Sequence, residues 1–145
     1  MTLKQIQFGS REYHDCLTLR SHVLREPLGL VLSPEDLAGE DQQYHFAAFA
    51  DGALIGCVIC KPIAPDRIKL RQMAVTEQMR GQGIGRALVL FAEQTVAALG
   101  FHSIELSARL PAAGFYQALG YQAKGSAFLE LGVPHIKMQK QISGE

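Results

Sequence analysis

The sequence predicts a mixed α/β (α+β) fold, and three observations carry that prediction. Two apolar runs, Tyr44 to Ala50 and Ala53 to Lys61, are joined by Asp51-Gly52, a strong hairpin signal. A strand, a glycine turn, a helix and a further strand then follow one another between Arg67 and Ala108, the order of a crossover unit. Strand-like and helix-like stretches alternate through all 145 residues, with no repeat, linker or low-complexity tract. The length fits one domain, residues 1–145.

Leu3 to Phe8 alternates, imperfectly, between apolar and polar residues and predicts a first strand. Ser10 caps a helix reaching about Arg25, with Leu17, Leu19, Val23 and Leu24 on its apolar face. Pro27 and Gly29 end it. Ser33-Pro34 reads as an N-cap followed by a first-turn proline, so a short helix follows. The hairpin comes next, and Pro62 and Pro65 break the chain before a strand from Arg67 to Val75. Ile84 to Leu99 is a helix closed by Gly100. Ser103 to Ala108 is a strand, and a short helix from Pro111 or Ala112 to Leu119 is closed by Gly120. Two final strands are expected at about Tyr121 to Ser126 and Val133 to Gln141.

Fourteen Lys and Arg balance fourteen Asp and Glu, so the net charge is zero. That balance argues against a protein held to nucleic acid by phosphates or drawn to anionic membranes. No apolar run reaches the ~20 residues of a membrane span, and the first ten residues lack the apolar stretch of a secretory signal. Three cysteines, Cys16, Cys57 and Cys60, point to reduced thiols and a cytoplasmic location. Cys57-Val58-Ile59-Cys60 is formally a CxxC, but it lies in a strand pattern, where positions three apart face opposite sides. We expect buried strand residues there, with no redox pair and no metal.

The most informative segment is Arg80-Gly81-Gln82-Gly83-Ile84-Gly85-Arg86, between a strand and a helix. A helix start presents unbonded N–H groups and a partial positive charge, and glycines let backbone approach an anion. Arg80 and Arg86 add charge, so a neutral chain can still hold a strongly anionic ligand. No Lys follows the glycines as in a Walker A loop. The third glycine of a dinucleotide fingerprint is missing, although Glu105 falls about 20 residues on.

This segment resembles the R/Q-x-x-G-x-G/A signature of the GNAT family of N-acetyltransferases. Leu70 to Val75 resembles that family's fourth strand, and Ala112 to Tyr121 its A-x-x-F-Y-x-x-L-G-F segment. The resemblance implies a mixed, twisted central sheet with splayed central strands and flanking helices. It implies acetyl-CoA as co-substrate, with no metal. Backbone of Met73, Ala74 and Val75 would pair with the pantetheine arm, and Arg80, Gly81, Gln82, Gly83, Ile84, Gly85 and Arg86 would hold the pyrophosphate. Tyr116 matches the tyrosine near the CoA sulfur and is the expected general acid.

Acetyl transfer to an amine requires a base, because an alkyl ammonium of pKa ~10.4 is only about 0.04% neutral at pH 7. Many relatives place a glutamate on the fourth strand, but Lys69 to Met73 contains no carboxylate. Glu105, His45 and His135 are the candidate bases, with His102 a further titrating residue. Arg109 stands where relatives often carry Asn. The expected reaction is direct attack of a primary amine in a ternary complex. The alternatives are a CoA-binding sensor without turnover, another acyl group, or an oxygen nucleophile. Family habit adds a homodimer.

Overall fold

The computed structural model describes residues 1–142. Seven strands pair in the order β1-β2-β3-β4-β5-β7-β6. They are β1 Thr2–Ile6, β2 Tyr44–Ala50, β3 Ala53–Ala64, β4 Arg67–Val75, β5 Ser103–Arg109, β6 Gln122–Glu130 and β7 Val133–Gln141. The helices are α1 Arg11–Arg20, α2 Pro34–Leu37, α3 Ile84–Ala98 and α4 Ala113–Ala118. Every expected strand is present and in the expected order. The backbone groups into two compact units, Met1–Lys61 with Gln72–Ala92, and Pro62–Arg71 with the chain from Glu93 onward.

In the first unit β1, β2 and β3 form an antiparallel meander, Thr2 opposite Phe49 and Tyr44 opposite Cys60. Asp51 and Gly52 both take positive φ, 51° and 79°, as the tight hairpin turn requires. Ser10 caps α1, its Oγ accepting from the Tyr13 N–H at 3.1 Å. Ile6, Tyr13, Cys16, Leu19, Ala47, Cys57 and Ala74 form a buried cluster. The first half of α3 buries Ile84, Leu88, Val89 and Ala92. Gly56 admits this helix: a Cβ there would stand 2.9 Å from Leu88 Cδ1 and 3.3 Å from the Ala74 carbonyl. Cys57 and Cys60 are buried, unbridged strand residues. The bond to Cys16, then burial, pushes the Cys57 thiol well above its ordinary pKa, opposite to a reactive thiol.

In the second unit β4 runs parallel to β5, β5 antiparallel to β7, and β7 antiparallel to β6. Ile68, Leu70, Ile104, Leu106, Ala108 and Met138 are buried. Both helix ends close on left-handed glycines. Gly100 donates to the Ala97 carbonyl and Phe101 to Val96, while Gly120 donates to Gln117 and Tyr121 to Tyr116. These bonds satisfy the last helical carbonyls.

Three boundaries differ most from expectation. The α-helical ladder of α1 stops at Arg20 and continues as a π-turn through Arg25. Pro62 does not end β3, because β2 begins opposite Cys60 and that edge asks no N–H of Pro62. β6 continues past Ser126 to Glu130 through a bulge between Lys124 and Phe128, where Gly125 takes φ 74°.

Candidate functional site

The glycine turn lies in the first unit. After Val75 the Thr76 N–H donates to the Ile55 carbonyl at 2.9 Å, and Glu77–Met79 makes one tight turn. Gly81 and Gly83 adopt φ 79° and 82°, and a Cβ at either would meet nothing within 4 Å. These glycines are therefore set by backbone conformation rather than crowding. The Ala87 N–H donates to the Gly83 carbonyl at 3.0 Å. That is the first bond of the helical ladder, so the N–H groups of Ile84, Gly85 and Arg86 precede it and have no helical acceptor. Ile84 is buried and anchors the helix start, while Arg80, Gly81, Gln82, Gly83 and Arg86 are exposed. A cleft of about 390 Å³, lined by His22, Val23, Glu26, Pro27, Glu77 and Arg80, opens beside the turn. Thr76 Oγ1 is buried without a hydrogen-bond partner.

Met73 to Val75 follows a strained residue: Gln72 has φ 59°, unusual for a side chain other than glycine. Its Oε1 accepts from Arg20 Nε at 3.3 Å. Arg20 also forms a bidentate, fully buried pair with Glu40, at 2.9 and 2.8 Å. The Tyr13 hydroxyl donates to Glu40 Oε1 at 2.7 Å, and His45 Nε2 donates to the Glu40 carbonyl at 2.8 Å. Burial works against the Arg20 charge, yet the bonds to Glu40 hold its pKa above the ordinary value. Burial and the bond to Glu40 push the Tyr13 phenol up as well. The expected base His45 thus sits in an ion-pair cluster, with its ring 5.1 Å from that of Tyr13. The sequence reading missed this cluster. Its one signal was Arg20 itself, four residues after Cys16 and seven after Tyr13 on the buried side of α1.

The second unit carries the other candidates. The β4–β5 ladder holds three register pairs, Arg67–Ser103, Ile68–Ile104 and Lys69–Glu105. Beyond it β5 continues to Arg109, paired along its length with β7. The β4–β5 pairing thus ends with Lys69 and Glu105. Tyr116 is 7% exposed, and its ring lies edge-on to Phe115 at 4.9 Å and to Tyr121 at 5.7 Å. Burial pushes its pKa up to about 12, so the phenol is protonated at neutral pH. Glu105 lies 3.5 Å from both Arg67 Nη1 and Lys137 Nζ. His135 is buried, donates from Nδ1 to the Val133 carbonyl at 2.8 Å, and turns Nε2 toward Glu130 at 3.7 Å. Glu105 and His135 are opposite Gln139 and Arg109 in register, four positions apart, or roughly 13 Å along the strand.

The family model described as acetyltransferase (GNAT) family matches residues 11–121. The chain belongs to the GNAT family. The Bacillus subtilis (strain 168) protein YyaT is 32% identical over 104 residues, 72% of this chain and 70% of its own. An acyl-CoA N-acyltransferase from Pseudomonas aeruginosa superposes with a TM-score of 0.81 at 23% identity, covering 96% of this chain and 98% of its own. An aminoglycoside 6'-N-acetyltransferase solved with coenzyme A superposes at 0.77 and 20% identity, covering 100% and 99%. At these identities the structures speak for the fold, which is the GNAT fold. Family membership makes the protein an acyl-CoA transferase.

The residues of this GNAT chain fit a CoA co-substrate. The turn supplies backbone donors at a helix start flanked by two arginines, as a pyrophosphate requires. The buried Thr76 hydroxyl that lacks a partner adds a polar group next to Val75. Among the described residues no cluster of three or more metal-ligating side chains occurs. No described helix is long and apolar enough to cross a membrane.

Proposed function

We propose that the protein transfers the acetyl group of acetyl-CoA to a primary amine by direct attack in a ternary complex. The observation that carries this reading is the turn from Arg80 to Arg86, with its left-handed glycines and helix start. In this reading the N–H groups of Gly81 to Arg86 and the two arginine side chains hold the pyrophosphate. Backbone of Met73, Ala74 and Val75 takes the pantetheine arm as an added strand and polarises the thioester carbonyl.

The amine nitrogen attacks the carbonyl carbon, forming the C–N bond as the C–S bond breaks. The ammonium proton leaves to a base, and CoA departs as a thiolate. Tyr116 donates to that thiolate. With its pKa near 12 against about 8.5 for a thiol, complete proton transfer is uphill, so the phenol acts chiefly as a hydrogen-bond donor.

Of the three candidate bases, local chemistry favours His135. Its Nδ1–H is held by the Val133 carbonyl, which leaves the lone pair on Nε2, and Glu130 stands ready to stabilise the imidazolium. Glu105 is engaged by two cations and His45 by the Glu40 backbone. We place the protein in the cytoplasm, in line with its three unbridged, buried cysteines.

The test is acetyl-CoA-dependent release of CoA across amine classes. Tyr116→Phe is expected to lower kcat about 10²-fold, the scale for losing one transition-state donor, with acetyl-CoA affinity within about two-fold. Unchanged turnover would make Tyr116 a packing residue. A second reading, a CoA-binding sensor, is favoured by the absence of a carboxylate between Lys69 and Met73. It predicts binding without release of CoA by any amine.

A further inference from the structure

Gln72 holds a backbone conformation that its side chain does not favour, with φ 59° inside β4. Strain of this kind persists only where the surroundings over-determine it, and it concentrates at ligand clamps and active sites. A left-handed residue in an extended strand also redirects the backbone beyond it. Here that backbone is residues 73–75.

The first unit supplies the group that holds Gln72. Arg20, the last residue of α1, donates from two guanidinium nitrogens to Glu40 at 2.9 and 2.8 Å, and from the third, Nε, to Gln72 Oε1 at 3.3 Å. Glu40 is fixed in turn by the Tyr13 hydroxyl and, at its carbonyl, by His45. A planar guanidinium clamped through two nitrogens points its remaining N–H in one direction. Two residues beyond Gln72, Ala74 lies in the same buried cluster as Cys16 and Leu19 of α1. After Val75, the Thr76 N–H donates to the Ile55 carbonyl at 2.9 Å. Residues 73–75 are thus held at both ends, by Arg20 through a side chain before them and by β3 after them. The two segments that wall the neighbouring cleft also leave from this contact, residues 22–27 after Arg20 and residues 77–80 after Gln72.

We propose that Arg20 is a positioning residue for the co-substrate: through Gln72 it fixes the backbone of Met73, Ala74 and Val75 in the conformation that takes the pantetheine arm. The inference rests on the acetyl-CoA reading and adds to it a buried residue of α1 that acts through another side chain.

Position 72 separates backbone from side chain. Alanine cannot make the bond to Arg20 and disfavours the left-handed region roughly ten-fold. Glycine cannot make the bond either, but it enters that region freely. Both variants leave Arg20 Nε without Gln72, so the comparison between them isolates the backbone. Apparent affinity falls with the fraction of molecules in the competent conformation. Calorimetric titration of acetyl-CoA is therefore expected to give a Kd about ten-fold weaker for Gln72→Ala, and within about three-fold of the wild type for Gln72→Gly. A role in stability alone would lower Tm and leave the Kd of both folded variants unmoved. The double variant Arg20→Met, Glu40→Gln removes the holder without stranding a buried charge, and is expected to weaken acetyl-CoA as much as Gln72→Ala. Adding Gln72→Gly to it should recover most of that affinity, and the pair at position 72 decides should the double variant not fold. Equal Kd values for the Ala and Gly variants, or a double variant that binds like the wild type, overturn this inference alone. A wild-type protein that does not bind acetyl-CoA overturns the acetyl-transfer reading and this inference with it.

Discussion

At the scale of single residues, the Arg20–Glu40 pair is the most consequential feature outside the glycine turn. Both side chains are essentially inaccessible, at 1% and 0%. Such a pair is weak evidence of net stability, since desolvation offsets most of its attraction, but removing one partner strands a buried charge. Glu40→Gln is therefore expected to cost about 3–5 kcal/mol, a large share of the roughly 5–15 kcal/mol available. Chemical denaturation checks this, and Arg20→Met added to the same variant should restore much of the loss. A loss below about 1 kcal/mol for Glu40→Gln would show that water reaches Arg20. The pair was not legible in the sequence, because its partners are twenty residues apart across two tight turns and α2. Nor was the positive φ of Gln72, since a glutamine in an apolar strand pattern carries no mark of a left-handed backbone. Tyr116, by contrast, was named by resemblance, and its burial, which pushes its pKa up to about 12, favours the hydrogen-bond donor proposed above over a full acid.

At the scale of elements, local chemistry explains what the sequence announced. Asp51-Gly52 announced a hairpin because its turn needs two left-handed residues. Gly100 and Gly120 announced helix ends for the same reason. What failed to show was tertiary: Pro62 stays in β3 because β2 begins only opposite Cys60. The glycine turn permits a clean separation of strain from charge. Gly83 has φ 82° and open space around a would-be Cβ. Gly83→Ala should therefore cost about 1–2 kcal/mol of stability from conformation alone. Gly83→Glu carries the same strain and adds a carboxylate among the donors proposed for the pyrophosphate. Calorimetric titration should find acetyl-CoA affinity far weaker in the Glu variant than in the Ala variant, by about a hundred-fold. Equal affinities would remove the turn from the cofactor site.

At the scale of the whole molecule, neutrality and anion binding are reconciled by where the charges lie. Fourteen cations and fourteen anions cancel, yet Arg80 and Arg86 flank a helix start. Long-range attraction for polyanions is then small, while the proposed pyrophosphate site works at short range, through Arg80, Arg86 and the helix start. This balance predicts selectivity among nucleotides rather than a general affinity for them. A ligand that binds only the folded chain raises stability by about 2.7 kcal/mol at 100 times its Kd. For a chain near 150 residues that corresponds to a rise in Tm of roughly 5–10 °C. Acetyl-CoA and CoA are expected to produce such a rise in a thermal unfolding assay. NAD, which also carries a pyrophosphate and an adenosine, is expected to produce much less, because it lacks a pantetheine arm to add along Met73 to Val75. An equal rise with NAD would mean that the turn recognises a pyrophosphate without the strand, and would overturn the proposed pairing of pantetheine with Met73 to Val75.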